Sequence, residues 1–264
     1  MNLEELVNAG VIWLSQCRYG QMFYLTTDQY IGKALNLYGE FSEGEVELFR
    51  RLIKPDWTVL DIGANMGAHT VALANLAKCV HSFEPQNILF KILESNVKVN
   101  NLPNIFTYKA GVGSKLETIL IPELDYSKPG NFGATSLGTG LNVVPLLTLD
   151  MLNLDCQFIK IDVEGMELEV IKGAMNTISL CRPILYVEND RDDRSVALLQ
   201  QLLDLDYRVY WHLPPYYNPD NYLKNPQNIY GNTISVNLIC LPREQEQNEV
   251  FEATNTNDSW RNYV

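Results

Sequence analysis

Asp61-Ile62-Gly63-Ala64-Asn65-Met66-Gly67-Ala68-His69-Thr70 is the stretch whose reading decides the fold. Thr58-Val59-Leu60 precedes it and Val71-Ala72-Leu73 follows it, both suited to a buried element. The order reads as a strand, a tight glycine turn and the first turn of a helix. Such a turn offers backbone N–H groups and the positive end of a helix dipole to a ligand, with Asp61 at its entrance.

Outward from this loop the pattern alternates. Strands are expected at 58–62, 79–83, 104–108, 157–162, 183–188, 207–212 and 233–241, with helices at 68–77, 87–100, 167–178 and 194–205. A βαβα order of this kind implies an α/β fold whose mostly parallel sheet is covered on both faces. No linker or repeat divides the chain, and 264 residues suffice for one large α/β domain.

Residues 1–53 read as an N-terminal extension placed to cover a ligand site. Leu3, Leu6, Val7, Val11 and Leu14 fall near helical spacing, and residues 21–26 suit a short strand. Asp28 reads as the N-cap of a helix running to Tyr38, and Ser42 with Glu45 as a capping box. Tyr38 and Glu40 either reach the ligand or pack the N-terminal helices. The core domain is expected over 54–243, followed by a polar tail over 244–264.

In an open parallel sheet, ligands bind beyond the C-terminal strand ends. Beyond the second strand stand Glu84-Pro85, with Glu84 about 20 residues past Gly63, the offset of an acid that binds ribose hydroxyls. Beyond the third lie Lys109-Ala110-Gly111, small enough for an adenine ring to approach. Beyond the fourth and fifth come Asp162-Val163-Glu164-Gly165 and Glu188-Asn189-Asp190. A dinucleotide fingerprint needs glycine at 63, 65 and 68, but the chain has Asn65 and Ala68. That argues against a nicotinamide oxidoreductase. S-adenosylmethionine has no pyrophosphate to admit; Asp61 is expected to meet its ammonium and the N–H groups near 65–67 its carboxylate.

The three motifs 61–70, Phe83-Glu84-Pro85 and Ile159-Lys160-Ile161-Asp162-Val163-Glu164-Gly165-Met166-Glu167, in this order, resemble the FkbM family of S-adenosylmethionine-dependent methyltransferases. The likeness runs from about Tyr38 to Asn189 and includes Gly173-Ala174. It implies a class I methyltransferase fold, seven strands with the last reversed, and O-methylation of sugars, glycans or secondary metabolites. The expected cofactor set is Tyr38, Glu40, Asp61, Gly63, Ala64, Asn65, Gly67, His69, Thr70, Glu84, Pro85, Ala110 and Asp162.

Transfer to a hydroxyl calls for a positioned base. Asp162 and Glu164 alternate along an extended segment and so share a side, with Glu188 ending the neighbouring strand. Together they either tune one another's acidity or hold a divalent cation, with Asp162 and Glu188 as its ligands. Asp162, Glu164, Glu188 and His212 are the catalytic candidates, and His69 is a further candidate base. A non-catalytic S-adenosylmethionine-binding subunit is the reading the acids oppose.

Acceptor choice is expected to rest with two irregular segments, 122–142 and 212–222. The net charge of −12, without a Lys/Arg cluster, disfavours a nucleic-acid acceptor and leaves a small molecule or glycan. No apolar run reaches the roughly 18 residues of a membrane span. Acids follow Met1 where a secretion signal would be basic, so a cytoplasmic protein is expected. The five cysteines are scattered and odd in number, which suits free thiols.

Overall fold

A computed structural model describes residues 3–135, 138–245 and 259–263. The N-terminal part comprises α1 (Leu3–Asn8), β1 (Ile12–Cys17), β2 (Gly20–Leu25), α2 (Ile31–Tyr38) and α3 (Glu43–Leu52). Then come β3 (Thr58–Ile62), α4 (Ala68–Ala74), β4 (Cys79–Phe83), α5 (Asn87–Val99) and β5 (Ile105–Tyr108). A small excursion follows, with β6 (Gly111–Val112), β7 (Glu117–Ile121), β8 (Asn142–Leu147) and α6 (Leu149–Leu152). The chain returns through β9 (Phe158–Ile161), α7 (Glu167–Lys172), α8 (Met175–Cys181), β10 (Ile184–Glu188), α9 (Asp192–Asp204), β11 (Tyr207–His212) and β12 (Asn237–Pro242).

Seven strands form the central sheet in the order β11-β12-β10-β9-β3-β4-β5. β12 is antiparallel to both its neighbours, while the strands from β10 to β5 run parallel. This is the class I methyltransferase arrangement, reversed strand included. From β3 the chain builds outward to β4 and β5, then crosses back to lay β9 on the other side of β3. The order therefore reverses between β3 and β9, and a crevice opens at their C-terminal ends. Asp61 pairs with Lys160 and Ile62 with Ile161 across that junction.

Alternating side chains supply both faces of the sheet. Leu60, Ile62, Ile159, Ile161, Leu185 and Val187 pack with Val170, Ile171, Ile178, Leu198 and Leu202 of α7, α8 and α9. Val59, Val80, Phe158, Ile184 and Tyr186 pack on the other side with Leu48, Phe49, Leu52 and Leu73 of α3 and α4. All four residues of β9 are buried, as befits a central parallel strand, and Lys160 is its one polar member.

Several local expectations change. The helical spacing of 3–14 gives way at Gly10 (φ 70°), after which Ile12–Cys17 pairs with β2 as a hairpin. The helix expected over 167–178 is divided at Gly173-Ala174. A Cβ on Gly173 would stand 1.9 Å from the Gly113 carbonyl oxygen, so a close backbone contact interrupts it. Residues flanking the 122–142 segment form a second, three-stranded sheet, β6-β8-β7. Asp28 serves the start of α2 from further upstream, its carboxylate accepting from the N–H groups of Tyr30 and Gly32 at 3.1 and 2.9 Å. Ser42 lies in the left-handed region (φ 48°) and its hydroxyl donates to Glu45 at 2.7 Å, so the capping box does not form.

Of the tail expected over 244–264, residues 246–258 and 264 lie outside the described ones. Trp260–Asn262 form a 3-10 turn, and Trp260 and Tyr263 pack against the core. No helix among the described residues is long and apolar enough to cross a membrane.

Candidate functional site

A cavity of about 320 Å³ occupies the crevice, lined from the loops after β3, β4, β5, β9 and β10. Its base at β3 is the loop opened by Gly63 (φ 84°), continued by Asn65 (φ 52°) and closed by Gly67 (φ 87°). Gly63 is obligatory: a Cβ there would lie 1.7 Å from the Asp162 carbonyl oxygen, so the loop could not lie against the end of β9. Asn65 accepts the same region of backbone space by virtue of its short amide, which bonds to the Met66 N–H at 2.7 Å.

Glu84, at the end of β4, is buried and fixed by two backbone donors. The Asn65 N–H reaches one carboxylate oxygen at 2.9 Å and the Gln86 N–H the other at 2.8 Å. Burial raises its pKa to about 7, against the pull of those two bonds. Around it Phe83, Pro85, Ala110, Gly111, Val112 and Met166 make an apolar slot. Asn131, Gly133, Ala134 and Thr135 bring the 122–142 segment onto the same cavity. Gln86 holds that segment by donating to the Phe132 carbonyl at 2.9 Å, and the Phe132 N–H donates to Asp28 at 3.3 Å.

The opposite end is acidic. Asp162, Glu164 and Glu188 line the cavity, and one oxygen from each lies within 4.8 Å of the others. Asp162 accepts from Lys160 at 3.1 Å, and Glu164 from Arg191 at 2.8 Å. Burial, then the Asp162 charge, lifts Glu164 to about 7. Burial, Asp162 and Glu164 push Glu188 well above the carboxylate range, and its Oε2 has no hydrogen-bond partner. Three acids so spaced could take a divalent cation, although Arg191 already engages Glu164. Tyr30, Phe41 and Tyr216 add aromatic faces, with Phe41 and Tyr216 5.7 Å apart. His69 lines the cavity beside Phe41.

S-adenosylmethionine suits this lining on chemical grounds. The slot is apolar enough to admit a purine, Glu84 offers a buried carboxylate to which vicinal hydroxyls could donate, and the acidic end suits a cationic sulfonium better than a phosphate. The lining cation, Lys160, is already held between Asp61 and Asp162 at 3.4 and 3.1 Å. A family model described as the methyltransferase FkbM domain matches residues 61–209. The chain belongs to the FkbM methyltransferase family.

No curated protein sequence matches the chain. Among solved structures, a methyltransferase FkbM from Methylobacillus flagellatus KT is 18% identical with a TM-score of 0.49, over 81% of this chain and 55% of that one. This chain thus spans little more than half of that protein. A precorrin-6y C5,15-methyltransferase from Geobacter metallireducens GS-15 is 11% identical with a TM-score of 0.45, over 75% of this chain and 85% of its own. A Streptococcus mutans protein crystallised with SAH is 15% identical with a TM-score of 0.45, over 75% and 97%.

Gly63, Ala64, Asn65, His69, Glu84, Pro85, Ala110, Asp162, Glu164 and Glu188 are brought together on one cavity. Six other candidates stand elsewhere. Asp61 is fully buried behind the loop, accepting from the Thr70 hydroxyl at 2.6 Å and facing Lys160, so the expectation that it meets a ligand ammonium is corrected. Thr70 is spent on the same bond, and Gly67 packs under Leu93. Glu40 accepts from Arg18 at 2.6 Å, from Asn218 at 2.8 Å and from the Tyr222 N–H at 2.8 Å. Tyr38 donates to the Gln227 carbonyl at 2.7 Å and accepts from the Ile229 N–H at 3.0 Å. These two anchor the segment between β11 and β12 to the N-terminal part instead of reaching the cavity. His212 points to the Tyr186 hydroxyl at 2.9 Å, burial first holds it down at about 4, and it does not line the cavity.

Glu45, Phe41, Tyr30 and Gln86 were not legible as site residues. Tyr30, Phe41 and Gln86 line the cavity from the short turns before α2, α3 and α5, and Glu45 stands on α3, 3.7 Å from His69, all at positions whose pattern reads only as capping or packing. Tyr216 falls within the segment expected to choose the acceptor.

Proposed function

We propose that this FkbM-family protein transfers the methyl group of S-adenosylmethionine to a hydroxyl oxygen of a small-molecule or glycan acceptor. One observation carries the reading: a single cavity at the sheet's reversal point has a buried ribose-type acid, Glu84, at one end and the acids Asp162 and Glu188 with aromatic faces at the other. Bound there, S-adenosylmethionine supplies an electrophilic methyl carbon for in-line displacement. Glu84 receives the ribose hydroxyls, while the N–H groups of residues 63–67 donate to Phe83, Glu84, Asn65 and Ala64, so the expectation that those near 65–67 meet the ligand carboxylate is corrected. Asp162 accepts a hydrogen bond from a second polar group of the acceptor and so aims the attacking oxygen at the methyl carbon. Lys160 holds that carboxylate in place. Tyr30, Phe41 and Tyr216 offer flat faces for the C–H face of a sugar or an aromatic ring.

The acidic surface supports a neutral or cationic acceptor over nucleic acid. Free cysteines at all five positions fit a reducing compartment such as the cytoplasm. The spacing of Asp162, Glu164 and Glu188 also favours a cation-assisted form of the reaction, which loss of turnover in EDTA and its recovery with magnesium would establish.

Methyl-tritiated S-adenosylmethionine offered with a panel of monosaccharides, oligosaccharides and phenols tests the reading. Label in a base-stable methyl ether is expected. Label in an N-methyl product would move the acceptor to nitrogen, and binding of S-adenosylhomocysteine with no transfer across the panel would favour a non-catalytic subunit.

A further inference from the structure

We propose that His69 is the base that removes the proton from the acceptor hydroxyl, and that Glu45 is the residue that positions and neutralises it. The proposal rests on the oxygen-acceptor reading above and adds a catalytic pair to it.

His69 is the second residue of α4, directly after the glycine loop, so the fold that builds the cofactor loop also fixes this ring in the cavity wall. The ring is only 6% exposed and is flanked by Phe41 at 5.7 Å and by the edge of Phe49 at 5.8 Å. Its Nε2 is buried without a hydrogen-bond partner. A buried polar atom left so is costly, and native structures keep few of them. Glu45 Oε2 lies 3.7 Å from that nitrogen, just beyond hydrogen-bond length. Glu45 is itself buried on the inner side of α3, and its other oxygen receives the Ser42 hydroxyl at 2.7 Å. An acid and an imidazole placed together in an apolar wall, and poised half an ångström short of bonding, form an acid–base pair that tightens when the ring gains charge.

The pairing sets the tautomer. With Nε2–H directed at Glu45, the free lone pair is on Nδ1. The charged and titratable groups around the ring are Glu45 from α3 and Lys160 from β9, with Tyr216 beyond Phe41. Burial, then the Lys160 charge, holds the imidazole well below its ordinary value, so it stands neutral and ready to accept. A weak base suffices here, because a hydroxyl attacking a sulfonium methyl becomes a strongly acidic protonated ether. Of the other acids at this end of the cavity, Asp162 bonds to Lys160 and Glu164 to Arg191, and burial beside these acids pushes Glu188 toward its protonated form.

The step balances. An acceptor oxygen lone pair forms the C–O bond as the S–CH3 pair returns to sulfur, giving a neutral thioether. The hydroxyl proton passes to Nδ1, and the imidazolium closes on the Glu45 carboxylate. The proton leaves to water as product departs.

Histidine-labelled protein, with three histidines to resolve, gives a test that needs no acceptor. In the complex with S-adenosylhomocysteine, nitrogen chemical shifts should report His69 neutral and protonated on Nε2 from pH 6 to 8. Protonation on Nδ1, or an imidazolium at pH 7, overturns the proposal. With the best acceptor of the panel, His69→Asn should lower kcat about 100-fold or more, with S-adenosylhomocysteine affinity within threefold. Glu45→Gln should lower kcat about tenfold with affinity unchanged, and it carries the kinetic test if His69→Asn fails to fold. Retained kcat, or a loss of affinity as large as the loss of kcat, assigns both residues to structure and overturns the pair. If the product proves to be N-methylated, the oxygen reading fails while the tautomer still decides on the pair.

Discussion

The Lys160 ammonium lies 3.1 Å from the Asp162 carboxylate. Lys160 is fully enclosed in β9, with Asp61 at 3.4 Å on its other side. Burial alone would lower its affinity for a proton, but the charges of Asp162, Asp61 and Glu45 reverse the sign and raise it. The lysine thus ties the last residues of two adjacent strands together at the point where the sheet order reverses.

Removing one partner of a buried ion pair leaves an uncompensated charge and costs about 3–5 kcal/mol. Lys160→Met should destabilise by that amount, read from urea unfolding at pH 7. A change under about 1 kcal/mol, the size typical of exposed pairs, would show the lysine to be dispensable.

Asp162 faces the cavity, whereas Asp61 does not, and their variants should differ accordingly. Asp162→Ala should abolish methyl transfer with little change in S-adenosylhomocysteine affinity. Asp61→Ala should instead lower stability, since Thr70 and Lys160 lose their partner. Isothermal titration beside thermal melts separates the two, and full turnover by the Asp162 variant would remove it from the reaction.

Glu84 makes cofactor binding depend on pH. Its folded value, about 7, stands above that of the unfolded chain, so the apo protein binds the extra proton. The stability this group lends is complete below the unfolded value and is lost as pH rises through about 7. Ribose hydroxyls donate to the ionised form, so affinity for S-adenosylhomocysteine should rise up to about tenfold per unit as pH climbs toward 7 and then level off. Glu164 titrates in the same range, and Glu84→Gln tells them apart: the variant should bind about 10–100-fold more weakly and lose most of the slope.

Gly63→Ala places a Cβ 1.7 Å from the Asp162 carbonyl oxygen on a residue with φ 84°. The loop and the end of β9 must separate. Loss of S-adenosylhomocysteine binding and a lower melting temperature are expected, and wild-type affinity in the alanine variant would show that the loop has room to spare.

The sheet was legible because its seven strands are short apolar runs punctuated by amphipathic helices. Thr58–Ile62, Cys79–Phe83 and Tyr207–His212 begin and end where the pattern places them. The family was legible because Gly63, Glu84 and Asp162 each close a parallel strand. Side-chain direction within the loop was not. Asp61 sits at the loop's entrance in sequence, yet in a strand whose neighbour offers Lys160 and whose following helix offers Thr70, its carboxylate turns inward. Glu45 shows the same limit: Ser42 three residues earlier matches a capping box, but a left-handed Ser42 turns the pair toward each other and frees Glu45 for His69. Tyr38 and Glu40 depend on contacts with residues 218–229, far away along the chain, which no local pattern encodes.

A crystal structure with S-adenosylhomocysteine tests the central claim most directly. The ribose hydroxyls should bond to the Glu84 carboxylate, the adenine should lie along Ala110 and Val112, and the sulfur should point toward Asp162 and His69. Density for the ligand outside this cavity, or adenine at the Asp162–Glu188 end, would contradict the account.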